Sequence, residues 1–150
     1  MNLAQMGQRL ALLLVAVVWM ALFAVGCASP AIGAPCLPEQ VPENGFDDRE
    51  AYVESSSVQC ETRVCVVYRL RGDPREGCIA REPNAMTGDP GKVCVMGKDV
   101  EDRVYCSCRC RSPGGFEECE CADGFTCVDL LEQGGPGVRG GYCIKNGTYN

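Results

Sequence analysis

The stretch Val104-Tyr105-Cys106-Ser107-Cys108-Arg109-Cys110-Arg111 decides how this chain folds. Successive side chains of a strand point to opposite faces. Read that way, a strand from Arg103 to Arg111 carries Val104, Cys106, Cys108 and Cys110 on one face. Tyr105, Ser107 and Arg109 lie on the other. Cysteines at every second position of one face can each bond a different neighbour, so this segment is expected to be stapled into its surroundings by several bridges.

Working outward, residues 62 to 70 give the clearest strand. Val64, Val66, Tyr68 and Leu70 alternate with Cys65, Val67 and Arg69, and the run stops at the turn signal Gly72-Asp73-Pro74. A short strand is expected at Val93 to Met96, and strand 62–70 should pair either with it or with 103–111. Residues 73 to 91, rich in proline, glycine and charge, form a loop held by Cys78. Residues 132 to 141 contain five glycines and a proline and predict a mobile loop. A last strand, Gly141 to Lys145, closes the domain through Cys143. Residues 46 to 57 are polar and acidic, with room for one short helical turn.

The chain has 13 cysteines. Apart from Cys27 they are Cys36, Cys60, Cys65, Cys78, Cys94, Cys106, Cys108, Cys110, Cys119, Cys121, Cys127 and Cys143. An even number in a small exported domain reads as a disulfide framework. Twelve cysteines allow roughly ten thousand connectivities, and the spacing selects none of them. Bridges are needed because the apolar content is misleading. The 46% hydrophobic fraction counts the cysteines and an apolar run near the N-terminus that holds the only tryptophan, Trp19. The core that remains is too thin to offset chain entropy alone. The expected fold is therefore small, disulfide-rich and mostly β, built of short antiparallel strands and hairpins, after a signal peptide and a flexible tether.

That apolar run, Leu10 to Gly26, comes after a short start with a single cation, Arg9, and ends in Ala24-Val25-Gly26-Cys27-Ala28-Ser29. This is the layout of a secretory signal peptide. The cysteine directly after a small residue resembles the lipobox of bacterial lipoproteins, although Ala24 stands where that family usually has leucine. The resemblance implies cleavage before Cys27 and lipidation of Cys27. Two other readings stay open: ordinary cleavage after Ala28, or retention of the run as an uncleaved anchor. All three export the rest of the chain. The expected organisation is a signal peptide over 1–26, a lipid-anchored tether over 27–45 that is rich in proline and glycine, and a disulfide-rich domain over 46–150. Ala28 and Ser29 after the cysteine imply outer-membrane sorting in that family. The chain as a whole resembles the cysteine-rich predicted lipoproteins of Gram-negative bacteria, a family of unknown function.

Some chemistry is excluded at the outset. There is no histidine, which removes Ser-His and Cys-His nucleophile pairs and His-bearing zinc sites. No motif points to another enzyme class, and no cofactor is expected. Without Arg9, 13 cations face 20 carboxylates, a net charge of −7 that argues against nucleic acid as a partner. The spacing Cys106-x-Cys108-x-Cys110 with Cys119-x-Cys121 also occurs in thiolate metal sites, but an oxidising compartment favours disulfides, and no metal site is expected. Cys119-Glu-Cys121-Ala-Asp-Gly124-Phe125-Thr-Cys127 resembles the Cys-x-Cys-x-x-Gly-aromatic turn of EGF-like modules over nine residues. Its neighbouring cysteines do not keep that family's spacing. Arg71-Gly72-Asp73 spells an integrin-type adhesion triplet at a turn, and Asn146-Gly147-Thr148 fits a glycosylation sequon that reads here as a frayed end.

The function expected from these features is that of an envelope-anchored, non-enzymatic binding or structural module. It would hold the membrane through its N-terminal lipid and meet a protein or glycan ligand. The alternatives are a secreted inhibitor or toxin-like disulfide module, with loops 79–91 and 132–141 as presenting elements, and a thiolate metal-sequestering protein.

Overall fold

The computed structural model describes residues 31–149. Cys27, the apolar run and the cleavage sites lie outside these residues. Among the described residues no helix is long and apolar enough to cross a membrane.

Two small antiparallel sheets are stacked. The first has the order β1 (Ala51–Glu54), β2 (Val64–Tyr68), β3 (Val104–Ser107). The second has the order β4 (Arg109–Arg111), β6 (Gly140–Lys145), β5 (Phe125–Leu131). One short helix, α1 (Lys98–Arg103), leads into β3. The disulfide-rich, mostly β fold is as expected, and β2 does pair with the 103–111 segment, Cys65 opposite Cys106.

β2 is buried on both faces, as a central strand must be. Val64, Val66 and Tyr68 meet Tyr142 and Ile144 of β6 between the sheets. Cys65 and Val67 face the other way, toward Cys36, Cys60, Val104 and Cys106. Leu70 joins this second group, although simple alternation would put it with Tyr68. The cause lies in Arg69, whose φ of 50° is left-handed. That turn reverses the face taken by the next residue.

The segment 103–111 is not one strand. It ends in the first sheet at Ser107 and resumes in the second at Arg109, so Cys108 marks a crossing between sheets. The Ser107 hydroxyl donates to the Cys143 carbonyl at 2.8 Å and secures this corner. Between the sheets, the buried Tyr105 packs edge-on against Phe125, centroids 5.4 Å apart, and its hydroxyl accepts the Lys145 N–H at 2.9 Å. Burial pushes the Tyr105 phenol up to about 12.

Four expectations need correction. Residues 51–54 are a strand, not a helical turn, because Tyr52 and Val53 gain a place on the edge of β2. Val93 to Met96 is no strand; it contributes a single parallel bridge, Cys94 to Asp73. The tether drawn over 27–45 is too long. The Gly33 N–H donates to Cys106, the Cys106 N–H donates to Ala34, Cys36 is buried, and Phe46 pairs with Gly72. The domain thus begins near Gly33 rather than at residue 46, because the outer edge of β3 needs these hydrogen bonds. The C-terminal end is also tied in: Tyr149 packs with the inter-sheet cluster and the Thr148 hydroxyl donates to the Lys145 carbonyl.

Candidate functional site

All twelve cysteines from Cys36 to Cys143 are paired. The bonds are Cys36–Cys65, Cys60–Cys106, Cys78–Cys94, Cys108–Cys119, Cys110–Cys127 and Cys121–Cys143. The crossing at Cys108 explains the pattern. Cys106 bonds within the first sheet's outer core, while Cys108 bonds the loop at Cys119 and Cys110 of β4 bonds β5 within the second sheet. The sulfurs of three cysteine groups lie close enough for a metal ion, Cys36/Cys60/Cys106 among them. Every one of these sulfurs is engaged in a disulfide, so none offers the thiolate that a soft metal needs.

Among these bonds, Cys78–Cys94 differs in what it encloses. The other five tie strands, or segments lying against them, to each other. This one closes the root of a loop that projects from the sheets. Inside the ring the chain folds back on itself. Arg81 pairs with Lys92 through two main-chain bonds, 2.9 and 2.7 Å, and Asn84 pairs with Asp89. Gly91 makes this approach possible: its φ is 78°, and a Cβ there would stand 2.5 Å from the Arg81 carbonyl. The Arg81 guanidinium bridges the loop sideways to Asp89, Nε to Oδ2 at 2.9 Å, and reaches Asn44 at 2.7 Å. The Gly91 N–H first, and then that cation, hold the Asp89 carboxyl below the usual carboxylate range. The tip, Asn84 to Thr87, is a hydrogen-bonded turn in which Asn84 Oδ1 accepts the Met86 N–H at 3.0 Å. Met86 is 98% exposed.

The loop stands on a buried charge. Asp73 is 1% exposed, and its carboxylate takes Arg75 Nη2 at 2.7 Å and Lys92 Nζ at 2.9 Å. Its second oxygen accepts the Arg75 N–H and Nε, both at 3.0 Å. The Arg75 guanidinium above all holds the Asp73 carboxyl far below the usual range. Main-chain bonds from Asp73 to Val93 and from Val95 to Asp73 complete the footing. This settles the adhesion triplet. The carboxylate of Arg71-Gly72-Asp73 is buried and doubly paired, so it has nothing to offer a receptor. The sequence marked Gly72-Asp73-Pro74 as a turn; the burial of Asp73 had no sequence signal except the nearby cations.

The second loop named from sequence, 132–141, is braced from one side. Arg109 Nη1 donates to the Pro136 and Gly137 carbonyls at 3.3 and 2.7 Å, and the guanidinium lies 5.0 Å from the Phe116 ring centroid. No disulfide closes it. In the sequon, Asn146 Oδ1 accepts the Thr126 hydroxyl at 2.8 Å, so the amide is engaged and the segment is not frayed.

Helix α1 carries features that sequence reasoning missed. Lys98 and Asp102 form an i,i+4 pair at 2.7 Å, and Lys145 reaches the same carboxylate at 2.7 Å. The two ammonium groups, Lys145 first, lower the Asp102 carboxyl to about 2. The i,i+4 spacing of opposite charges was the available signal.

No protein-family model matches the chain, and no similar curated protein or solved structure was found.

Proposed function

We propose that this chain is an exported, non-enzymatic binding module, held at a cell envelope by lipid on Cys27, that presents the loop 78–94 to a protein partner. The observation that carries the reading is the loop itself. A disulfide, two internal bridges and an Arg81–Asp89 pair fix it, and an almost fully exposed Met86 crowns it. A loop backbone held this way is a preorganised platform, because the entropy of ordering it is already lost in the unbound protein. Methionine adapts to irregular pockets.

A rigid loop closed at both ends by cysteines is the feature that the inhibitor reading calls for, but the shape of its tip speaks against that reading. Protease clefts take an extended segment that pairs like an added strand, and the tip at Asn84–Thr87 is a closed turn. The thiolate reading loses support from the complete pairing of the cysteines. Export and lipidation rest on the residues around Cys27, and complete pairing agrees with an oxidising compartment.

The test is a photo-cross-linking amino acid placed at Met86, and for comparison at Asp123, in cells that export the chain. A discrete adduct from position 86 that is absent from position 123 is expected. Equal adducts from both, or none from 86, would count against the loop. In parallel, Cys27→Ser should stop lipid incorporation and release the domain from membranes. A Cys27→Ser protein that still matures normally and stays membrane-bound would refute the lipid anchor.

A further inference from the structure

Beside the root of the loop lies a hollow of about 440 Å³. Leu37, Pro74, Met96, Val100 and the buried Val104 are its apolar lining. Met96 is 80% exposed and Leu37 42%. A single exposed aliphatic side chain is ordinary, but two facing one concave apolar wall are a binding feature. Glu76 and Glu101 stand on the same hollow, both exposed, and no cation lines it among the described residues.

We infer that this hollow receives an amphipathic segment of a protein partner whose aliphatic side chains are flanked by lysine or arginine. The inference rests on the binding-module reading and names the partner's chemistry. Charge selects the occupant. A second copy of this chain brings its own net charge of −6 to two glutamates, which is repulsive. An anionic bilayer is repelled in the same way. A basic amphipathic segment buries its aliphatic face on Leu37 and Met96 and sets its cations against Glu76 and Glu101. The hollow's apolar lining is aliphatic, with no aromatic ring, and an amphipathic helix laid in such a groove offers its side chains at i, i+3, i+4 and i+7. The approach of Pro35 and Leu37 to Met96 is fixed from beneath by Cys36–Cys65, which leaves the hollow already formed before anything binds.

The experiment uses the purified, fully oxidised chain with isotope-labelled methyl groups. It is titrated with an 18-residue helical peptide of leucine and lysine, and with Leu/Glu and Ser/Lys peptides of the same length. The Leu/Lys peptide should shift the methyl signals of Leu37, Met96, Val100 and Val104. The other two should bind at least roughly tenfold more weakly. Leu37→Asp and Met96→Asp, both at exposed positions that folding does not require to be apolar, should each weaken the Leu/Lys peptide roughly tenfold. Glu101→Lys should also weaken it. Binding equal for the Leu/Lys and Ser/Lys peptides would mean charge alone, and would overturn the inference. So would shifts located elsewhere, or shifts at Leu37 and Met96 produced by phosphatidylcholine vesicles but by no peptide. If the hollow fails while the cross-link at position 86 still forms, the groove falls and the loop stands.

Discussion

Replacing Asp73 with asparagine tests the footing on which the loop stands. The change keeps the shape and removes the charge. One asparagine oxygen can still accept, but the amide –NH2 then faces either Arg75 Nη2 and Lys92 Nζ together or the Arg75 N–H and Nε, donor against donor. Breaking a buried ion pair by removing one partner costs about 3–5 kcal/mol. Arg75 is 45% exposed and Lys92 16%, so water takes up part of what they lose, and we expect about 2–3 kcal/mol. The cost has a pH signature. The folded-state pKa of Asp73 lies below its ordinary value, so its contribution is complete above the unfolded pKa. It is lost as pH falls through that value toward the folded one. Guanidinium unfolding with disulfides intact, followed by circular dichroism, should give wild type and Asp73→Asn curves about 2–3 kcal/mol apart at neutral pH. The gap should narrow between about pH 4 and pH 2. Asp47, Asp89 and Asp102 also titrate low, but they are present in both proteins and cancel in the difference. A gap under about 0.5 kcal/mol at neutral pH, or one unchanged at pH 2, would refute the account of a buried, doubly paired carboxylate.

Four further outcomes are expected. Removing Cys60–Cys106, which spans 46 residues, should destabilise by about 4 kcal/mol, against about 3 kcal/mol for Cys108–Cys119, which spans 11; denaturation midpoints that rank them in reverse would show that chain entropy does not govern the difference. Gly140→Ala should prevent the β4–β6 pairing and leave little oxidised, soluble protein, since φ is 133° and a methyl would overlap the Arg111 carbonyl. Gly77→Ala, with open space around it at φ 78°, should lose only about 1 kcal/mol in the same unfolding assay. Alkylation of the native, unreduced chain should label none of the twelve cysteines from Cys36 to Cys143; mass spectrometry showing several labelled would contradict the pairing.

The strands with strict alternation were legible in the sequence. Val64 to Tyr68 reads as a strand from its pattern alone, and Gly141 to Lys145 was placed within a residue. What stayed hidden was short, or depended on contacts between distant segments. β1 offers four residues, too few to show a period. In β5, Asp129 and the pair Leu130-Leu131 break alternation, so only the turn before it was read. α1 lies behind Gly97, which supplies no side-chain cap, and six residues give less than two turns. The alternation through Cys106, Cys108 and Cys110 was real, yet the passage from one sheet to the other at Cys108 left no mark on it. The bond pattern depends on that passage, so no count of spacings would have yielded it. For the site, 73–91 was legible as a loop from its proline, glycine and charge, with 79–91 named as a presenting element only under the inhibitor reading. The hollow was not, because it joins Leu37 to Met96 and Val100 across about sixty residues of chain.

The order of the disulfides also fixes how this domain responds to being pulled. A load applied through the N-terminal segment reaches Cys36 and passes to Cys65. It runs back five residues to Cys60, jumps to Cys106, advances two residues to Cys108, and jumps to Cys119. Two more residues bring it to Cys121, and a last jump to Cys143. Nine residues of main chain carry the whole tension, and fully extended they reach roughly 30 Å, with four cystine links of 5.4–6.2 Å between Cα atoms added. The reduced chain between the same two cysteines would pay out more than a hundred residues, roughly 350 Å or more. Oxidised, the domain is a nearly inextensible knot. Drawn from its N-terminal end, as a surface anchor would draw it, it transmits force as a short covalent cable while β1 and the loop 78–94 hang off the load path.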